Sequence, residues 1–179
     1  MPTENERKYV INLKCEKDLE ENFKIFISQG YMAYSKGMTI RVRKKEYTDH
    51  HHNVEYYITY KQKSSSRIIE IEQKIDKRDY EELWSISKIK LFKTRYNLLD
   101  VDTNLWWEVD FLKNKNKTYF ALAEVELPEE VKKPKRIHPL VEKVLIHEVP
   151  LNDNRFSNRR LANLEYSKGL YRKLTKVKK

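Results

Sequence analysis

Two pairs of glutamates are spaced so that they could form part of a site for metal and phosphate. Glu4, Glu6 and Lys8 alternate near the N-terminus, and Glu124 and Glu126 alternate in a segment far along the chain. Because alternate side chains of a β-strand share a face, each set would project its charges to one side. Carboxylates are the ligands that hard divalent cations prefer. The spacing therefore predicts that Glu4, Glu6, Glu124 and Glu126 bind Mg²⁺ or Mn²⁺ together with a polyphosphate.

Basic residues with the same spacing lie between the two acidic segments. Arg41 and Arg43 form one pair, Lys93 and Arg95 form another, and Lys61 stands in a further strand-like segment. Arginine can hold phosphate oxygens through two parallel hydrogen bonds, and lysine adds a point charge. A triphosphate, with roughly four negative charges near neutral pH, suits such a set. A metal ion would then bridge the carboxylates and the phosphates, which otherwise repel each other.

These charges belong to strand-like segments, each with one ionic and one apolar face. The segments span about 4–13, 29–36, 38–45, 54–62, 67–75, 89–98, 105–112 and 119–127. Short polar loops between them favour antiparallel pairing. Helical periodicity predicts helices that include Leu19 to Ile27, Tyr80 to Ile86, Leu140 to Leu145, and the segment after Asn154.

The ionic faces could point to bulk water from an open sheet or line a lumen. Acidic and basic strands are segregated, and about eight strands can close around one small ligand. We therefore expect an α+β, mainly antiparallel fold: an eight-stranded closed β-barrel tunnel with a charged lumen and flanking helices. Glu70, Glu72 and Glu108 would add carboxylates to this lumen, and Asp110 is a further candidate metal ligand.

Composition narrows the class of protein. The 179 residues suffice for one domain, 1–179, with a basic C-terminal helix or tail at about 155–179, and the formal net charge of +10 suggests a polyanionic partner. A single cysteine, Cys15, excludes an intrachain disulfide and favours a reducing compartment. We find no apolar signal or membrane-spanning run, and expect a soluble cytoplasmic protein. Only 3 glycines leave no room for a Gly-rich phosphate loop.

Taken in order, the strand motifs resemble those of the CYTH superfamily, also called triphosphate tunnel metalloenzymes. Each motif alone is weak, but together they extend over nearly the whole chain. They are Glu4-Asn5-Glu6-Arg7-Lys8, Gly30-Tyr31, Arg41-Val42-Arg43, Thr59-Tyr60-Lys61, Glu70-Ile71-Glu72, Lys93-Thr94-Arg95-Tyr96, Glu108-Val109-Asp110-Phe111, Ala123-Glu124-Val125-Glu126-Leu127, and Glu148-Val149 with Asp153, Arg155, Phe156, Ser157 and Asn158.

The resemblance implies an antiparallel tunnel and Mg²⁺- or Mn²⁺-dependent chemistry on a substrate that bears a triphosphate. The prokaryotic members that this chain most resembles hydrolyse inorganic tripolyphosphate to pyrophosphate and phosphate. By the same resemblance, Lys8 and Tyr31 would form a catalytic dyad in which Lys8 activates the attacking water. The family often has Ile where this chain has Asn5, a position on the opposite face from the two glutamates.

Three functional classes remain open from the sequence. The first is hydrolysis of tripolyphosphate. The second keeps the fold but changes the reaction, as in class IV adenylyl cyclases or thiamine and nucleoside triphosphatases. The third is a non-catalytic module that binds polyphosphate or nucleic acid, for which the basic tail would be one contact. The expected partner is a triphosphate-bearing small molecule rather than a membrane, and a homodimer is one possible assembly.

Overall fold

The computed structural model describes residues 5–20, 22–35, 37–49, 52–63, 68–151 and 153–176. Its strands form one antiparallel sheet in the order β5-β4-β3-β2-β6-β7-β8-β1-β9. The strands are β1 (Glu6–Ile11), β2 (Lys24–Ser35), β3 (Met38–Tyr47), β4 (Val54–Lys63), β5 (Ile68–Ile75), β6 (Ile89–Asp100), β7 (Leu105–Asn114), β8 (Lys117–Glu126) and β9 (Leu145–Glu148).

Six helical segments accompany the sheet in the described part of the chain. Two are 3₁₀ helices, Leu13–Leu19 and Asn154–Phe156. The α-helices found there are α1 (Lys77–Ile86), α2 (Pro139–Lys143), α3 (Asn158–Leu161) and α4 (Leu164–Lys176). The predicted helix at Tyr80–Ile86 and the predicted C-terminal helix are therefore confirmed. None of the helices in the described ranges combines the length and apolar composition needed to cross a membrane.

The mainly antiparallel α+β class is confirmed, but the closed barrel is not. The ladder begins at β5 and ends at β9, and hydrogen bonds do not join these two edges among the described residues. The sheet has nine strands rather than eight, because Leu145–Glu148 pairs with β1 after a short α2. The helix that periodicity predicted over Leu145 therefore ends before that residue.

The helix predicted from Leu19 to Ile27 is wrong. Leu19 ends the first 3₁₀ helix, whereas Phe26 and Ile27 belong to β2. The strand lies between β3 and β6 and makes a ladder with each of them. Alternation places Ile27 on a buried face and Phe26 on an exposed one. Tertiary pairing on both sides has overridden a local pattern that also fits a helix.

The outer face of the sheet carries an apolar core. Tyr9, Tyr96, Trp107 and Phe111 are among its fully buried side chains, and the first 3₁₀ helix covers them with Cys15 and Leu19. The same face of β2 to β4 is covered by α1, whose Tyr80 and Trp84 rings contact Tyr56 and Phe92. Asp76 begins α1 because its carboxylate accepts the Asp79 N–H at 2.8 Å.

The inner face has a second apolar core at one end. Leu91, Leu112, Phe120 and Leu122 pack there against α3, α4 and the preceding turn, through residues that include Phe156, Leu161 and Leu170. The C-terminal helices thus fill one end of the inner face. The rest of that face is ionic, and it positions the candidate site.

Gly30 sets how closely α1 can approach the sheet. A Cβ at this position would lie 2.5 Å from Ser87 Oγ and 3.0 Å from Trp84 Cε3. We expect Gly30→Ala to lower the free energy of unfolding by about 1–3 kcal/mol, measured by urea denaturation, because the contact overpacks the junction. Gly169→Ala is the matched control, since nothing lies within 4 Å of that Cβ. A helix-interior alanine there should be neutral or stabilising, and an equal loss in both variants would contradict this account.

Candidate active site

The strand register brings the predicted charged residues to one face of the sheet. Residues directly paired across antiparallel strands share a face, and the pairs run from Glu70–Lys61 through Arg41–Tyr31, Arg95–Asp110 and Glu124–Lys8 to Glu6–Glu126. We call the resulting cluster the ionic site. Its members are Glu6, Lys8, Arg41, Arg43, Lys45, Lys61, Glu70, Glu72, Lys93, Arg95, Glu108, Asp110, Glu124 and Glu126.

On the β3–β5 side, each arginine is paired with a carboxylate of β5. Arg41 Nη2 lies 3.1 Å from Glu70 Oε1, and Arg43 Nη1 lies 3.4 Å from Glu72 Oε2. Lys61 Nζ is 3.5 Å from the second oxygen of Glu70. Glu70 and Glu72 therefore lie on the face that alternation predicts, and these carboxylates hold the basic side chains in place.

The basic side chains of β3 and β6 lie close enough to affect one another's pKa values. Burial and the neighbouring Arg41 lower the pKa of Arg43 to about 10; Arg95 adds to this, and Glu72 opposes it. The same Arg43 and Arg95 charges, added to burial, lower the pKa of Lys45. Arg95 is on β6 and Arg43 on β3, with β2 between them. The cations of these strands therefore converge on one region.

Asp110 is the buried centre of the ionic site. Its side chain is 0% exposed, and its Oδ1 and Oδ2 accept hydrogen bonds from Arg95 Nε and Nη2, both at 2.7 Å. Lys93 donates to the same Oδ2. Burial would raise the pKa of Asp110, but Arg95 and Lys93 hold it well below its usual range. Burial and Arg95 lower the pKa of Lys93 to about 8, with Asp110 acting against them.

These contacts indicate a different role for Asp110 from the one predicted. Both of its oxygens are engaged by cations, so it orients Lys93 and Arg95 rather than offering a free ligand atom. Arg95 extends further and contacts Glu108, while its Nη2 lies 3.7 Å from Glu124. The guanidinium thereby links the basic part of the site to the acidic part.

Lys8 lies between two carboxylates. Its Nζ is 2.5 Å from Glu6 Oε2 and also contacts Glu124 Oε1. Burial alone would lower the pKa of Lys8, but Glu124 and Glu6 outweigh it and raise the pKa above its ordinary value. Burial opposes the charge on Glu124 as well, yet Lys8 keeps the pKa of this carboxyl below its usual range. Lys8 is therefore held as an ammonium in this state.

Tyr31 lies on the same face but has other partners. Its hydroxyl accepts a hydrogen bond from Gln29 Nε2. Burial raises the pKa of Tyr31, and the nearby Arg41 opposes this. Among the described contacts, Lys8 pairs with Glu6 and Glu124 rather than with Tyr31. The dyad implied by the family resemblance remains a prediction.

Gln29 was not identified from the sequence. It is fully buried on the inner face, two residues before Tyr31, and its Oε1 has no hydrogen-bond partner among the described residues. The Nε atoms of Arg41 and Arg43 are likewise buried without a partner within that part of the chain. The sequence offered one signal for Gln29: it is a polar residue that shares a strand face with Tyr31. These three atoms leave hydrogen-bonding capacity directed at the inner face.

The carboxylates of the ionic site have the donor chemistry that Mg²⁺ or Mn²⁺ requires. Glu6 pairs with Glu126 and Glu124 with Glu108 across adjacent strands, so four carboxylates project from neighbouring positions. Among the described residues, no group of three or more His, Cys, Asp or Glu side chains is arranged so that it could hold a metal ion. Glu4, a predicted ligand, lies outside the described residues. Glu6, Glu124 and Glu126 fit such an ion by their donor chemistry, and a bound cation would compete with Lys8 for Glu6 and Glu124. Asp110 fits less well, because both of its oxygens accept from Lys93 and Arg95.

Comparison with known proteins gives a fold match. No family model matches the chain. The crystal structure of the hypothetical protein NE1496 matches 89% of this chain and 97% of its own, with 25% identity and a TM-score of 0.57. HpAC1 from Hippeastrum, described as an adenylyl cyclase with a dominant triphosphatase activity, matches 77% of this chain and 84% of its own, with 14% identity and a TM-score of 0.45.

One curated sequence shares a short segment with the chain. Nuclear fusion protein FUS2 of Saccharomyces cerevisiae is 36% identical over 75 residues, which cover 42% of this chain and 10% of the yeast protein. This local match spans too little of either protein to bear on the fold. The structural match to NE1496, by contrast, extends over nearly the whole chain. The chain therefore has the CYTH-like fold of the triphosphate tunnel metalloenzymes, the superfamily that its motifs resemble.

Proposed function

We propose that the protein hydrolyses a triphosphate with the help of Mg²⁺ or Mn²⁺, and that the substrate is inorganic tripolyphosphate. The observation that supports this most directly is the convergence of Arg41, Arg43, Lys93 and Arg95 with the carboxylates on one face, where these four basic side chains are at most 16% exposed. Cations withdrawn from water favour a multiply charged anion because they give up little further hydration on binding it.

The basic residues would bind and orient the phosphates. Arg41 and Arg43 each keep a buried Nε without a partner in the described part of the chain, in addition to the nitrogens paired with Glu70 and Glu72. Guanidinium groups in this state can donate hydrogen bonds from two nitrogens to phosphate oxygens. Lys61, Lys93 and Arg95 would add positive charge, which stabilises the charge spread over a transferring phosphoryl group.

The acidic residues would supply the metal site. We propose that Glu6, Glu124 and Glu126, with Glu4, hold Mg²⁺ or Mn²⁺. When bound, such an ion offsets phosphate charge and polarises a phosphoryl oxygen. A carboxylate cluster that faces an anionic ligand would repel it without a cation, which argues for a metal rather than for simple anion binding.

Lys8 would act on the attacking water. Its raised pKa makes the ammonium the stable form, so it can donate a hydrogen bond and position the water or a phosphate oxygen. To serve as a general base, Lys8 would first have to lose the stabilisation provided by Glu6 and Glu124. Tyr31 would contribute its buried hydroxyl to the same region through Gln29.

One assay panel tests the proposal. Purified protein is given tripolyphosphate, ATP or thiamine triphosphate, with Mg²⁺, Mn²⁺ or a chelator, and is scored for phosphate, pyrophosphate and cyclic nucleotide. We expect phosphate and pyrophosphate from tripolyphosphate with either metal, and a loss of turnover with the chelator that returns when metal is restored.

Other products would identify another member of the same fold class. Cyclic nucleotide without phosphate release would indicate a cyclase, and preferential turnover of ATP or thiamine triphosphate would indicate an organic triphosphatase. Binding that survives chelation without any product, and that weakens steeply with salt, would indicate a non-catalytic module for polyphosphate or nucleic acid. Each of these results would overturn the assignment to tripolyphosphate hydrolysis.

A further inference from the structure

The positive charge of the chain lies outside the ionic site. Within that site the seven basic side chains Lys8, Arg41, Arg43, Lys45, Lys61, Lys93 and Arg95 are balanced by the seven carboxylates Glu6, Glu70, Glu72, Glu108, Asp110, Glu124 and Glu126. The net charge of +10 is therefore carried by the rest of the protein. A second anion-binding surface would use that surplus.

A groove on the opposite face of the sheet combines aromatic and basic side chains. It encloses about 350 Å³ and is lined by residues of β2 and β6, the first 3₁₀ helix, and the turn between β7 and β8. This volume lies at the lower end of the range for small-molecule pockets. The groove lies on the outer face, because Phe26 and Phe92 alternate along their strands with Ile27 and Lys93, whose side chains belong to the inner face.

Two partly exposed phenylalanines line this groove. Phe26 pairs with Thr94 and Phe92 pairs with Ser28, so the two rings occupy diagonal positions on adjacent strands. Diagonal neighbours are about 7–8 Å apart, and a planar ring needs about 3.5–4.0 Å to each flanking ring. Phe26 and Phe92 are 44% and 46% exposed, although they are large apolar side chains. This spacing of strand positions leaves room for one planar aromatic group between the rings, while Phe92 keeps its edge contact with Trp84, at 5.6 Å between ring centroids.

Two lysines of the groove lining supply the charge. Lys24 and Lys115 line the groove, and neither forms an ion pair within the described residues; Lys24 lies 5.9 Å from the Phe26 ring centroid. Glu16 is neutralised by Lys113, at 2.5 Å, which leaves Glu20 as the other acidic residue of the lining. Lys93 also lines the groove, but it is paired with Asp110 of the ionic site. Lys24 and Lys115 against Glu20 therefore give the groove a net preference for an anion. Ser28 and Thr94 add hydroxyls to the lining.

We propose that this groove is a second binding site, for a mononucleotide: the base stacks between Phe26 and Phe92, and the phosphate pairs with Lys24 and Lys115. A nucleotide joins a planar ring to an anion in one small molecule, which is the combination that the lining presents. The volume suits a single nucleotide better than a strand. This site is independent of the hydrolysis proposed for the ionic site.

Calorimetric titration with adenosine monophosphate tests the site, with excess tripolyphosphate present to occupy the inner face. We expect saturable binding to the full chain, weakened about fivefold or more by Phe26→Ala or Phe92→Ala, because stacking of one base contributes about that much. Phe23→Ala is the matched control: Phe23 is 69% exposed, precedes the same strand and does not line the groove. The affinity of the Phe23→Ala variant for adenosine monophosphate should equal that of the unmodified protein.

Further titrations identify which part of the nucleotide the groove recognises. Adenosine and inorganic phosphate, each supplying half of the ligand, should bind more weakly than the nucleotide. Circular dichroism checks that the variants fold, and because both rings are exposed, we expect them to. The proposal is overturned if the phenylalanine variants bind as well as the Phe23 variant, if tripolyphosphate displaces the nucleotide, or if only a single-stranded oligonucleotide binds. Tripolyphosphate hydrolysis should be unchanged in both variants, which separates this test from the one above.

Discussion

An Asp110→Asn variant is expected to lose about 3–5 kcal/mol of its free energy of unfolding, which is the usual cost of removing one partner from a buried ion pair. Asp110 is completely buried, and its two oxygens accept from Arg95 and Lys93. The amide would remove the counter-charge of Lys93, and it would leave Arg95 with only Glu108 and the more distant Glu124. Urea denaturation followed by circular dichroism, in metal-free buffer, measures the loss.

Asp102→Asn is the matched control for this prediction. Asp102 also pairs with an arginine, Arg136, at 2.6 Å, but its side chain is 65% exposed. We expect a change below about 1 kcal/mol there, because water screens such a pair. Equal losses in the two variants would contradict the central role given to Asp110. A small loss in metal-free buffer that becomes large only with added Mg²⁺ would instead restore Asp110 as a metal ligand.

A Lys8→Ala variant is expected to lose about 10²–10⁴-fold in turnover of tripolyphosphate, the range in which a positioned proton-transfer group contributes. The ammonium of Lys8 lies between Glu6 and Glu124, at the junction of the acidic and basic parts of the site. Alanine would remove the hydrogen-bond donor and leave the two carboxylates to repel each other. Steady-state release of phosphate measures the effect.

Lys44→Ala provides the control for Lys8. Lys44 is also a strand lysine paired with a glutamate, Glu46, at 3.0 Å, but it lies on the outer face of β3. Its turnover should match that of the unmodified protein, and near-full activity in the Lys8 variant would remove Lys8 from the mechanism. Lys8→Arg separates two roles: partial activity would support positioning by a permanent cation, and none would support a general base.

The strands and their ionic parity were predictable because alternation of charged and apolar residues repeats in segment after segment. Arg41 with Arg43, Lys93 with Arg95, and Glu124 with Glu126 each fall on the face that the alternation assigned to them. The segment around Phe26 was not predictable in this way, because its local spacing also fits a helix. Pairing with β3 and β6, which are distant in sequence, decided between the two structures.

The ion pairs inside the site could not be derived from the sequence. Alternation assigns Asp110 to the inner face but cannot say whether its oxygens meet a metal or the cations of β6, because that depends on register between strands. The buried Gln29 was missed for a related reason, since an isolated glutamine in a strand usually faces solvent. The sheet edges at β5 and β9 likewise depend on curvature, which residue patterns do not encode.

The C-terminal helices make the two ends of the inner face unequal. Phe156, Leu161 and Leu170 pack against Leu91, Phe120 and Leu122 at one end, where these contacts are apolar. A phosphate chain that enters from the other end would stop at the boundary between the ionic site and this apolar cluster. The length of the ionic part of the face would then set how many phosphates can bind, measured from the end of the chain that enters first. Any group on the other end of the chain would remain outside.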